Sequence, residues 1–342
     1  MKINKVTSWL VTLTIILFGL IYGQMIIIPF IISVLIWFIV KKTRNLLDKN
    51  KLIKKYIPTW FKTILASFVI FSTIFAIGKV LSSNIENIAQ SYSLYNNNIN
   101  LISLKINELL NIELSSELTN WINQIDITSH LEDFFNSISE LLSNMVMIIF
   151  YVTFIFIEES LIEEKIKLIF KNEKEYISVK STLKKIDKSM SSYISLKSLI
   201  SLLSASISYF ILLIVGIDSP LFWAFLIFMF NFIPSVGPII GTLLPSLFSL
   251  IQFGEFIPFL IIFFGVGIVA MIIGSFIEPK LMGNTLNISA LIAILSLAFW
   301  GFIWGITGMF LSVPITVAII IILSQFSSTR PIAILLSEKG RL

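Results

Sequence analysis

Apolar runs separated by short polar clusters organise this chain. Residues 6–40, 63–81, 141–157, 198–217, 220–251, 256–277 and 288–324 are almost wholly apolar, and charged or turn-forming residues bound each run. A helix needs roughly 20 apolar residues to cross a bilayer. Runs 63–81, 141–157, 198–217 and 256–277 therefore suit one helix each. The other three are interrupted. Residues 6–40 break near Gly19, Gly23 and Pro29, 220–251 break at "FNFIPSVGPIIGT" (230–242), and 288–324 contain "GFIWG" (301–305). Proline removes a helical hydrogen bond and glycine weakens a helix, so each interrupted run predicts a broken hairpin. The predicted fold class is all-α, a polytopic membrane protein.

Basic clusters orient the crossings. Lys2 and Lys5 precede the first run, and residues 41–62 carry Lys41, Lys42, Arg44, Lys49, Lys51, Lys54, Lys55 and Lys62 against Asp48 alone. Both flanks of the first hairpin are thus expected in the cytoplasm. Residues 82–140 hold one basic residue, Lys105, and eight acids, which places them outside. Residues 158–197 hold nine lysines and return to the cytoplasm, and Arg330, Lys339 and Arg341 put the C-terminus there too. No A-x-A site follows the first apolar run, since the first alanine is Ala66, so that run is expected to be a retained crossing. The predicted organisation is 1–81 (first hairpin, basic loop and third crossing), 82–140 (extracytoplasmic acidic helices) and 141–157 (a crossing). A charged cytoplasmic helix follows at 158–197, then a C-terminal membrane region with broken hairpins at 198–328 and a cytoplasmic tail at 329–342.

Two polar regions have their own patterns. In the external segment Ile85, Ile88, Tyr92, Tyr95, Ile99, Ile102 and Ile106 repeat at steps of three and four, a heptad seam suited to an intramolecular hairpin or a contact between subunits. Ser129 and Glu132 form a capping box for a helix leading into the crossing at 141. The cytoplasmic segment mixes charge signs, as a solvated helix does, with Glu163 and Lys167 at i,i+4 spacing.

Composition narrows the chemistry. Of 342 residues, 56% are hydrophobic and 13% charged, against about 25% charged in a soluble globule. There is no cysteine, which excludes disulfides and thiolate ligands, and the one histidine, His130, sits among Ser129, Glu132 and Asp133 in a polar stretch. No Walker A or H-E-x-x-H motif occurs. Neither an enzyme, a metal site nor a cofactor is expected, and no nucleic-acid motif is present.

The breaks carry the functional signal. Non-helical backbone survives at membrane depth only where it is buried in protein or lines a wet cavity, and paired broken segments point to a transport site. In the first of them Asn231, Pro234, Ser235, Gly237, Pro238, Gly241 and Thr242 are candidate solute contacts, with freed backbone groups beside them. The competing reading is packing, because "GPIIG" and "GFIWG" are both G-x-x-x-G. Ser191, Ser195, Ser198, Ser201, Ser204 and Ser208 form a further stripe that favours packing. Intramembrane ionisable groups are functional candidates by default. Glu278 is the foremost, paired with Lys280 across Pro279 on the packing view.

"FNFIPSVGPIIG", "IEPKLMGN" (277–284) and "FWGFIWGITGMFLSVP" (299–314) resemble, in order and spacing, the autoinducer-2 exporter family of bacterial membrane proteins. The likeness covers nearly the whole chain. It implies about eight membrane segments, both termini cytoplasmic, residence in the bacterial inner membrane and oligomeric assembly. By motif it carries over Pro234, Gly237, Pro238, Gly241, Glu278, Pro279, Gly283, Gly305, Gly308 and Pro314, and Thr307 lies in the same block. The expected function is secondary export of a small polar solute, for which the family suggests the quorum-sensing signal autoinducer-2. Sodium(lithium)/proton antiport through Glu278 and Lys280 is the alternative, and a non-transporting oligomeric scaffold a third. The expected partners are the bilayer, the solute or a monovalent cation and proton, and further copies of the chain.

Overall fold

The computed structural model describes residues 5–90, 98, 145–170, 172–282, 288–338 and 340. Every regular element among them is helical. The chain opens with α1 (Lys5–Tyr22), α2 (Gln24–Leu47), α3 (Lys51–Tyr56) and α4 (Thr59–Gln90). After a gap come α5 (Met145–Glu159), α6 (Ile162–Ile169), α7 (Glu173–Val215), α8 (Pro220–Phe230) and α9 (Val236–Phe253). Next are α10 (Phe256–Ile272), a π-helical turn (Ile273–Ile277), α11 (Glu278–Met282), α12 (Ala290–Leu323) and α13 (Arg330–Leu336). Among the described residues six helices are long and apolar enough to cross a membrane, or seven if the bent pair α5–α6 is one span. Two short apolar helices fall outside that count, and α12 enters it as one helix although it is kinked at Trp304 and Gly305. The apolar stretch of α1 is Leu10–Tyr22, and α8 has 11 residues. At 1.5 Å per residue α8 reaches about 16 Å, roughly half a hydrocarbon core.

The helices group into two compact units. Unit 1 comprises Met1–Phe68, Asn144–Ser195 and Asn284–Leu342, and unit 2 comprises Val69–Ser143 and Leu196–Gly283. In unit 1, Gly23 (φ −84°, ψ 3°) separates α1 from α2 with helical hydrogen bonds to Gly19 and from Ile27, and Pro29 lies inside α2. Ser33 lies one turn beyond Pro29. Its buried hydroxyl lies 2.6 Å from the Pro29 carbonyl and 3.1 Å from the Ile148 carbonyl of α5, which joins the two helices. At the other end of α2, Arg44 pairs with Glu159 at 2.8 Å, and Trp37 donates its indole N–H to the same carboxylate at 3.0 Å. Just beyond Glu159 the α5–α6 pair bends by 60°.

From Glu173 onward the charged stretch and the crossing at 198–217 form one helix, while α6 stands apart. α7 runs 43 residues without a glycine or proline, about 65 Å of continuous helix. In its serine stripe Ser201, Ser204 and Ser208 are buried, but the Ser201 and Ser208 hydroxyls have no hydrogen-bond partner among the described residues.

The sequence-predicted hairpin at 288–324 is present within α12. Trp304 (φ −125°, ψ 17°) and Gly305 (φ 60°, ψ −142°) leave the helical region, and the chain folds back on itself there. Ser296 Oγ accordingly donates to the Ser312 carbonyl at 3.0 Å, and Trp300 Nε1 to Thr316 Oγ1 at 3.3 Å, across 16 residues in each case. Of the heptad seam, Ile85 and Ile88 fall on the last turns of the α4 backbone, while Tyr92, Tyr95, Ile99, Ile102 and Ile106 lie outside the described residues. So do Gly283, His130 and the capping box at Ser129.

Candidate functional site

In unit 2 the break between α8 and α9 is tightly made. The amides of Asn231, Phe232, Ile233, Val236 and Gly237 all bond to carbonyls within residues 227–234. The freed backbone amides expected from the sequence are therefore consumed by the turn. Ser235 takes φ 61°, ψ −46°, a conformation that non-glycine residues rarely adopt and that marks strain at this turn. Pro238 does not break a helix; it stands in the first turn of α9, where no amide is needed. Gly237 is required by close approach, since a β-carbon there would run into the Phe230 carbonyl. Gly241 packs in ordinary contact with Ile227. Packing thus accounts for both glycines of "GPIIG", whereas their neighbours face open space.

That space is a cavity of about 680 Å³ within unit 2. Asn231, Pro234, Ser235, Pro238 and Thr242 line one side from the break, and Phe263, Gly267, Ala270, Met271 and Gly274 of α10 and the π-helical turn line another. The lining is mostly apolar, as ligand cavities usually are, with few polar groups set into it. Thr242 spends its hydroxyl proton on the Pro238 carbonyl at 2.8 Å. The Asn231 side chain is 6% exposed, and its amide Nδ2 has no hydrogen-bond partner among the described residues.

Two charges complete the lining. Lys197, near the middle of α7, forms an ion pair with Glu278 at the start of α11. The π-helical turn sets the position of Glu278: its amide reaches back five residues to the Ile273 carbonyl. Pro279 has no amide to donate to the preceding turn, which gives the local widening a covalent cause. The partner expected from the sequence is corrected here. Lys280 is exposed and does not line the cavity, and the cation on Glu278 is Lys197. Lys197 is a cavity-lining residue that the sequence reading did not single out. Its signal was its place as the last of nine lysines, seated directly against the apolar run that begins at residue 198.

The second group of candidates belongs to unit 1. Gly305 supplies a positive-φ turn, and a β-carbon on Gly308 would run into the Trp300 carbonyl. Thr307 is half-buried beside that turn and Pro314 is buried in the returning helix. There Trp300, Ile303, Trp304 and Leu311 pack together with Leu17, Leu20 and Ile27. Trp304 Nε1 donates to the Leu20 carbonyl at 2.9 Å, and Ser296 and Thr316 hydroxyls bond at 2.5 Å. Ser296, Thr316, Trp300 and Trp304 therefore each have a protein partner.

Broken apolar helices around a cavity with a buried ion pair define a helical membrane transporter of the kind that uses discontinuous segments. The chain belongs to the AI-2E family of transporters, whose family model, described as "AI-2E family transporter", matches residues 10–328. It is 35% identical over 119 residues to the AI-2 transport protein TqsA of Escherichia coli, covering 35% of this chain and 34% of that one. A provisionally named transport protein of Borreliella burgdorferi is 38% identical over 126 residues, or 36% of this chain and 35% of the relative. With these two the match spans about a third of each relative's length. A Haemophilus influenzae protein of the same provisional name aligns over 99% of this chain and 97% of its own length at 25% identity.

Proposed function

We propose that the protein is a secondary transporter that exports a small polar solute by way of the unit 2 cavity. The observation that carries this reading is the buried, unpartnered Asn231 amide in the same cavity as the Lys197–Glu278 pair. An unsatisfied buried donor is costly and rare, and a solute that accepts its hydrogen bond removes the cost. The name of TqsA makes autoinducer-2 the first solute to test. The positive-inside pattern supports placement in the bacterial cytoplasmic membrane with both termini in the cytoplasm. On this reading the chain catalyses no reaction of its own and is driven by a gradient. Assembly into a homo-oligomer through the seam from Ile85 to Ile106 rests on the heptad pattern.

The test is autoinducer-2 counterflow in proteoliposomes. Wild type should exchange the signal, and the double change Pro234→Ala and Gly237→Ala should abolish exchange while the protein still inserts and folds. Unchanged exchange in that variant would remove the break from the path. Antiport is the second reading, favoured by the position of Glu278 on the cavity wall. Sodium- or lithium-evoked proton flux that disappears in Glu278→Gln would establish it in place of solute export.

A further inference from the structure

The pair inside the cavity is lopsided. The Lys197 side chain is 5% exposed, whereas that of Glu278 is 26% exposed. Among the described residues lining the cavity these two are the only ionisable ones, and Lys280, the next charge along α11, is turned out to solvent. A buried charge stripped of its partner is far more costly than a partly hydrated one, because water compensates only the latter. The two halves of the pair therefore differ in how freely they can be released.

That difference fixes the sign of the bound group. A cationic solute would take Glu278 and strand Lys197, the more deeply buried member. An anionic solute would take Lys197 and release Glu278, the more exposed member, at smaller cost. The second observation is independent and agrees. Asn231 lines the same cavity and has a buried N–H₂ donor with no acceptor among the described residues, which a ligand oxygen would satisfy. Ile233, Ile239, Leu243, Phe263 and Met271 make the remaining wall apolar.

We propose that the cavity binds a small organic anion, an apolar body with a carboxylate or equivalent oxyanion head. The head displaces Glu278 from Lys197 and accepts from Asn231. Glu278 is then the internal counter-ion that holds the site neutral when no solute is present, and release of the solute returns it to Lys197. The proposal rests on the reading of this cavity as a solute site, but not on autoinducer-2 as the solute.

The experiment is equilibrium binding of radiolabelled benzoate to the full-length protein in nanodiscs, with benzylamine and benzyl alcohol as probes matched in shape. Benzoate should bind at least tenfold more tightly than either. Lys197→Gln should erase that preference and Lys197→Arg should keep it; Asn231→Ala should weaken benzoate several-fold. Glu278→Gln removes the internal competitor and should tighten benzoate at least threefold, a gain that a misfolded variant cannot give. No detectable benzoate binding, a preference for benzylamine, or weaker binding in Glu278→Gln overturns the proposal. Because the readout is binding, the two readings fail separately. Benzoate selectivity with no flux of any solute would sink the transport path alone, and solute flux without benzoate selectivity would sink the anion assignment alone.

Discussion

Two hairpins in this molecule are broken by the same device and come to opposite ends. In unit 2 the α8–α9 break sets Gly237 against the Phe230 carbonyl; in unit 1 the fold within α12 sets Gly308 against the Trp300 carbonyl. Both let the returning helix approach the one it leaves more closely than any side chain would permit. Around the first, the polar groups are incompletely used and a charged cavity remains. Around the second, indoles fill the space and Ser296, Thr316, Trp300 and Trp304 bond to one another or to Leu20. A chain break is thus a packing solution first. It becomes a candidate site where unspent polar capacity, as at Asn231, coincides with a cavity.

The contrast can be broken at its charged end with the largest effect. Glu278→Ala leaves Lys197 buried without a counter-ion and should destabilise the protein by about 3–5 kcal/mol. Thr316→Val, which removes one member of the neutral network in unit 1, should cost about 1–3 kcal/mol. Denaturation in mixed micelles measures both; equal costs would show that burial of Lys197 carries no special penalty.

The shared backbone device gives the next effects. Gly237→Ala and Gly308→Ala each force a carbonyl to move and should cost about 1–3 kcal/mol. Gly305→Ala meets no neighbour but demands a conformation open essentially to glycine alone, for a cost of similar size, about 1–3 kcal/mol. Thermal unfolding of the three variants checks this, and a neutral Gly308→Ala would dissolve the parallel between the hairpins. Pro238→Ala should fall within about 1 kcal/mol, since its position needs no amide.

The smallest effect belongs to neither hairpin and serves as a baseline. Lys180 donates to Glu163, and that hydrogen bond, followed by the charge of Lys180 and a hydrogen bond from the Tyr176 hydroxyl, holds the Glu163 carboxyl below its ordinary range. Lys180 is raised in turn, chiefly by its hydrogen bond to Glu163. The Glu163 contribution is therefore present at neutral pH and lost as pH falls through its depressed value. The Lys180 contribution is present at neutral pH and lost as pH rises through its raised value. Both groups are fully exposed, so the consequence is local. Hydrogen exchange in α6, compared with Lys180→Gln at each pH, should differ most near neutrality and converge in acid.

Sequence pattern made the apolar runs, the three breaks and the candidates around 231–242 legible, because bilayer thickness and proline chemistry act locally. What it left unread depends on distance in the chain. Lys197 and Glu278 are 81 residues apart, and nothing local to either announces the other. Lys280, two residues from Glu278, was the natural partner on spacing alone, yet helical geometry sends it to a different face. The division between Gly237, which packs, and Asn231, which lines the cavity, is likewise a matter of which side of one turn each residue occupies.

The central claim is that the unit 2 cavity, and not the tryptophan-filled hairpin, is the solute site. Gly274 lines that cavity, and a β-carbon there meets nothing within 4 Å, so Gly274→Leu fills the space without disturbing the backbone. Gly19 of α1 has equally open surroundings and is not among the residues lining that cavity, which makes Gly19→Leu its control. Counterflow of autoinducer-2 should fall at least tenfold in Gly274→Leu and stay at the wild-type rate in Gly19→Leu. Undiminished exchange in Gly274→Leu would contradict the account.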